Sequence, residues 1–285
     1  MTPYRGFIVW GGGIFLVLGL FVLFMLSGWP GGGPDQCTQQ KPTNTCYCEA
    51  YNPAQVAGHT PGVRQKVNTW FNLYAIITSL VVAGFICKDR LEFGEAGSLN
   101  PIRSNSFVPD LYIFAVLFLG LGSMWFHAAL RTPWSWFDGL SMYVFTAFLI
   151  AYTAGRIWRS ELGTVLIWTG YALLVVLFSA FGALDIFGDK TSLILICIMV
   201  AVYVIVEIIA TARAGWPNLV AGLWWVGGVI FIGVATLAWI KSQTGEPWCN
   251  PNAFFQPHGL IWHPFAGGMA VCLYFYWRNL PDPVA

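Results

Sequence analysis

Read for polarity alone, the chain alternates long apolar runs with short polar breaks. A helix that crosses a bilayer needs about 20 mostly apolar residues, because lipid offers the backbone no partner and a helix satisfies its own polar groups. Eight runs have this character: Phe7–Trp29, Thr69–Cys87, Leu111–Leu130, Trp134–Gly155, Leu162–Ala183, Ser192–Ala212, Leu219–Ile240 and His258–Trp277. The pattern predicts an all-α polytopic membrane protein, a seven-helix transmembrane bundle with one additional N-terminal transmembrane helix. The first run is longer than the apolar stretch of about 7–15 residues in a secretory signal. Ser27-Gly28-Trp29-Pro30 is also a weak cleavage match, so this run is read as a retained helix.

Composition agrees with a lipid solvent. Of 285 residues, 57% are hydrophobic and 9% charged, against about 25% charged in soluble domains, which excludes a soluble globular protein. Lys+Arg 14 against Asp+Glu 13 leaves a net charge of +1, so there is no basic field to hold nucleic acid. Alternate connections carry Arg5, then Lys88, Arg90 and Arg103, then Arg156 and Arg159, then Arg213, then Arg278. By the positive-inside rule these face the cytoplasm, as do both termini. The organisation expected is an N-terminal helix over 1–29, an exterior linker or cap over 30–66, a seven-helix body over 67–277 and a cytoplasmic tail over 278–285. Trp29, Trp134, Trp136 and Trp248 fall at span ends, where tryptophan suits the membrane interface.

The seven cysteines divide by location. Cys37, Cys46, Cys48 and Cys249 lie in exterior segments, while Cys87, Cys197 and Cys272 lie in or at the ends of spans. An oxidising exterior permits two disulfides among the first four, in any of three pairings. A zinc site competes with that reading, but Cys46-Tyr47-Cys48 lacks the usual spacer of two or more residues between thiolate ligands.

Ionisable groups at membrane depth are costly and are suspects for function. Ser123 and His127 stand four residues apart and share a helix face near its exterior end. Asp138 opens the next span after a short exterior turn, and His258 and His263 open the last span at the same level. One histidine at a span end is an ordinary interfacial residue. Three at one level, beside a serine and an aspartate, form a constellation. Three imidazoles and a water make a catalytic zinc shell, and the remaining histidine, His59, lies in a loop. Glu207 stands inside an apolar run with no partner evident in sequence; it either bonds between helices or lines the cavity, and the structural role is favoured.

Ser-x3-His followed eleven residues later by Asp, then a late histidine pair, resembles the alkaline ceramidase family. That family sits within a wider group of seven-helix membrane hydrolases that includes progestin/adiponectin receptors and Per1-type lipid remodelling proteins. Cys48-Glu49 and Val67-Asn68-Thr69-Trp70-Phe71-Asn72 resemble the family's N-terminal segment, so the likeness spans Cys46 to Trp277. The resemblance implies that His127, His258 and His263 bind zinc, that Ser123 assists at the carbonyl oxygen and that Asp138 handles protons. It also implies a disulfide from Cys48 to Cys249, leaving Cys37 to pair with Cys46.

Three departures accompany the likeness. The late motif usually reads His-x3-His, but His258 and His263 are five apart, which on a regular helix separates them by about 140° at about 100° per residue. Either a π-bulge or a helix beginning only at Pro264 would reconcile them. The late start is favoured because proline biases the residue before it away from helical geometry. Some relatives build a calcium site from acidic residues in the N-terminal segment. Here the matching positions hold Cys46 and Gln65, only Glu49 keeps its carboxylate, and calcium is not expected. The third departure, the extra N-terminal helix, alters no site residue.

The implied function is zinc-dependent hydrolysis of the ceramide amide bond to sphingoid base and fatty acid, with the lipid drawn from the bilayer and the active site facing the exterior. The alternatives are a related hydrolase of another N-acyl or ester lipid, and a receptor or transporter holding structural zinc. Oligomeric state is not legible.

Overall fold

The computed structural model describes residues 3–33, 45–58, 60–93, 100–180 and 191–281. Its helices are α1 (Arg5–Ser27), α2 (Pro53–Ala57), α3 (Lys66–Phe71), α4 (Tyr74–Phe93), α5 (Val108–Ala129), α6 (Trp134–Trp158), α7 (Glu161–Ala180), α8 (Thr191–Ala214), α9 (Leu219–Lys241) and α10 (His263–Arg278). A π-helical turn, His258–Trp262, leads directly into α10. The strands β1 (Thr45–Cys46) and β2 (Glu49–Ala50) form a small antiparallel hairpin.

The fold is an all-α polytopic membrane architecture, and each of the eight apolar runs carries one long helix. Among the described residues, six of these helices are long and apolar enough to cross a membrane by themselves. Helices α5 and α6 pack most extensively and occupy the centre. Helices α7 and α8 lie against α6, α4 lies against α5, and α9 closes on α10. The apolar positions left outward, such as Phe15 and Leu26 on α1, Leu166 and Leu173 on α7, and Leu223 and Ile230 on α9, are exposed. They suit a lipid solvent, in which an exposed leucine costs nothing.

Polar groups gather at the two ends of the bundle. At one end, Arg5 and Arg90 share Asp110, while Arg103 and Arg278 share Asp89. Near that end Glu207 finds the partners its sequence context concealed. Its carboxylate accepts from Arg156 Nη1 at 2.7 Å, Tyr276 Oη at 2.6 Å and Thr153 Oγ1 at 2.8 Å. The residue therefore ties α6, α8 and α10 together.

The opposite end carries the cap. Helix α1 stops at Gly28, and the following strap folds onto the α5–α6 turn. Trp134 Nε1 donates to Pro30 O at 2.8 Å and Arg131 donates to the carbonyls of Gly32 and Val56. Gly31 is needed here, because its φ is +124° and a Cβ would stand 2.6 Å from Thr132 O. The interfacial reading of Trp29 and Trp134 needs correction. Both are buried, their rings 5.9 Å apart, and Trp29 Nε1 donates to Gly62 O. Once α1 lies against the body, their indoles fill the seam between strap and turn, where backbone carbonyls replace lipid headgroups as acceptors.

Candidate metal centre

The site is assembled from three segments at the capped end. Helix α5 brings Ser123 and, one turn later, His127, both buried. At Leu130 the chain turns with φ +51° and enters α6, whose second turn holds Asp138. Helices α5 and α6 run close together there: a Cβ on Gly122 would lie 2.9 Å from both Phe137 O and Ser141 Cβ. Asp138 therefore sits across a tight helix contact from the turn that carries Ser123.

The histidine pair arrives on the last helix. The expected late start at Pro264 does not occur. His258–Trp262 form a π-helical turn and the α-helix begins at His263, with Pro264 in its first turn. Proline has no N–H to bond backward, so the turn behind it is free to widen by a residue. The i→i+5 repeat of a π-turn puts residues five apart on one face. His258 and His263 accordingly approach to 4.8 Å between ring centroids, with His127 5.2 and 5.5 Å from them.

One ring nitrogen from each of the three can be chosen so that all lie within 4.8 Å of one another, and all three side chains are buried. His127 Nε2 and His258 Nδ1 have no hydrogen-bond partner. A buried nitrogen without a partner costs free energy, and two of them within a cluster of three buried imidazoles fit a bound cation. Nitrogen donors of this kind suit zinc.

The surroundings hold the rings. His127 Nδ1 lies 2.7 Å from Gln65 Oε1, and His263 Nε2 lies 3.2 Å from Asn72 Nδ2. Tyr47 stacks on His258 at 4.6 Å and meets His127 edge-on, covering the cluster from the cap. Its backbone and that of Cys48 are left-handed, with φ of +48° and +69°, a conformation that bulky residues adopt only when the surroundings enforce it. The hairpin enforces it together with the Cys48–Cys249 disulfide, which pins the cap to the segment before the π-turn. Cys46 is buried and disulfide-bonded, while its expected partner Cys37, like His59, lies outside the described residues.

Glu49, the lone carboxylate retained at the candidate calcium position, accepts from the N–H groups of Val67 and Asn68 at 2.9 and 2.8 Å. Burial pushes its carboxyl pKa up, and those same donors pull it down. Gln65, Asn72 and Tyr47 join the histidine cluster only in the folded chain. A faint signal existed for two of them: Gln65, Asn68 and Asn72 recur at helical spacing, and all three are fully buried. Tyr47 had none, since its position depends on the left-handed turn.

A family model described as Ceramidase matches residues 58–281. Neither the comparison with curated proteins nor that with solved structures gives a match.

Proposed function

The chain belongs to the ceramidase family, and from that premise we propose that it is a zinc-dependent membrane amidohydrolase that cleaves ceramide to a sphingoid base and a fatty acid. Family membership implies a hydrolase of amide bonds. The observation that carries the metal is the convergence of three buried imidazoles, two of which have a ring nitrogen without a hydrogen-bond partner.

In this reading His127, His258 and His263 hold the ion. An ion held there would supply Lewis acidity and would bring the pKa of a water molecule to about 7. Asp138 takes a proton from the attacking water as the carbon–oxygen bond forms, and returns it to the nitrogen as the carbon–nitrogen bond breaks. Ser123 donates its O–H to the oxygen on which negative charge develops. Tyr47 and the cap exclude water from the exterior side, and the acyl chains reach the site through the bilayer. The proposed orientation has both termini and the paired Asp89 and Asp110 on the cytoplasmic side and the histidines toward the exterior, supported by the distribution of arginines among the connections. The division into N-terminal helix, cap, hydrolase body and tail belongs to the same reading.

The test is metal analysis of the purified protein by mass spectrometry together with hydrolysis of ceramide, an N-acyl amino lipid and an ester lipid. About one zinc per chain and release of sphingoid base are expected. His127→Ala, His263→Ala and Asp138→Ala should each abolish turnover, and only the histidine variants should lose zinc. Full activity in all three folded variants would sink the proposal.

A further inference from the structure

The Gln65 side chain is fully buried and its two ends face different partners. Its Nε2 donates to two backbone carbonyls of the hairpin, Cys46 O and, at 2.9 Å, Glu49 O. Carbonyls only accept, so the amide orientation is settled by chemistry: nitrogen toward the hairpin, oxygen toward His127. The oxygen in turn only accepts, so His127 Nδ1 at 2.7 Å must carry the proton. The neutral ring then has its lone pair on Nε2, a buried nitrogen without a hydrogen-bond partner, on a residue whose ring lies 5.2 and 5.5 Å from those of His258 and His263. The main chain repeats the link, since Gln65 N–H donates to His127 O at 3.2 Å.

We propose that Gln65 is a positioning residue that sets the tautomer and orientation of His127, so that the two carbonyls of the cap hairpin dictate which imidazole nitrogen meets the metal. The proposal rests on His127 being a zinc ligand. It makes the cap part of the metal centre. The cystine at Cys48 lies between the two carbonyls that orient the amide, and a cap held elsewhere would leave the amide free to turn over and present a donor to His127.

Two variants separate this from mere packing. Gln65→Glu keeps an acceptor for His127 Nδ1–H and loses the donor to the hairpin, whereas Gln65→Met keeps the volume and loses both. Zinc affinity is measured by competition with a chromogenic chelator on folded detergent-solubilised protein. Gln65→Met should bind zinc about 10–100-fold more weakly, the range typical of lost outer-shell partners, and Gln65→Glu within a few-fold of wild type. Equal affinity of Gln65→Met and wild type, or equal losses in both variants, would overturn the assignment. If Gln65→Met fails to fold, Gln65→Asn withdraws the amide by one methylene and should weaken zinc in the same way; unchanged affinity there overturns it equally. A wild-type protein without zinc affinity would instead refute the zinc reading itself.

Discussion

Glu207 offers the sharpest test of how this bundle is held together, because its carboxylate collects one cation and two hydroxyls from two neighbouring helices. Hydrogen bonds between membrane helices average about 0.6 kcal/mol and reach about 1.7 kcal/mol, since the unfolded chain in lipid finds other partners. Removing one partner of a buried ion pair costs about 3–5 kcal/mol, because the remaining charge stays desolvated. The charge should therefore outweigh the hydroxyls. Glu207→Ala is expected to lose about 3–5 kcal/mol and Thr153→Val about 0.6 kcal/mol. At about 2–4 °C of Tm per kcal/mol, the first corresponds to roughly 6–20 °C. Replacing both ions with apolar residues of similar size, Glu207→Leu with Arg156→Met, should recover most of the loss. Unfolding can be followed in detergent by labelling the buried thiols of Cys87 and Cys272. Tyr276 lies about 20 Å along α10 from His263, at 1.5 Å per residue, so zinc content and turnover of the folded variants should match wild type. A Tm for Glu207→Ala within about 2 °C of wild type, or strict additivity in the double variant, would refute the reasoning.

Three further perturbations probe the capped end. Cys48→Ser should lower Tm and weaken zinc retention, by no more than the roughly 5 kcal/mol that loop entropy sets for bridged residues so far apart in sequence; an unchanged chelator-stripping rate would count against the cap's role. Gly31→Ala puts a Cβ 2.6 Å from Thr132 O at a φ of +124°, and should free the strap at a cost of about 1–3 kcal/mol, read as new proteolytic cleavage between α1 and the body. Gly267→Ala places a Cβ 2.4 Å from Tyr74 Cδ2, beside the ring stacked on His263. Overpacking there should cost about 1–3 kcal/mol and slow turnover more than the same change at Gly233, which has open space around it.

Much of the site was legible because chemistry-bearing residues are scarce in this chain. With four histidines among 285 residues, a level shared by His127, His258 and His263 follows from counting spans. The cystine from Cys48 to Cys249 was implied by family likeness. Less legible were interactions that depend on backbone shape. The π-turn at His258–Trp262 was set against a late helix start, and the choice turned on whether Pro264 ends the turn before it or only loosens it. The buried Trp29 and Trp134 read as interfacial because an indole at a span end looks the same whether lipid headgroups or a packed strap lie beside it.

The sequence by itself determined the solvent, the number of long helices and the end of the bundle where chemistry gathers, and its motifs carried the likeness to the family. The first three follow from composition, periodicity and the order of polar residues along the chain, and the last from short local motifs, all of them properties of single segments. Only the tertiary structure decided that Arg156 and Tyr276 complete Glu207, that a widened turn brings His258 and His263 onto one face, and that Gln65 carries the hairpin's demand for a donor through to the His127 ring. Those outcomes depend on local backbone shape and on which atoms of distant segments come within about 3 Å of a side chain, the reach of a hydrogen bond. No spacing along a single helix encodes that distance.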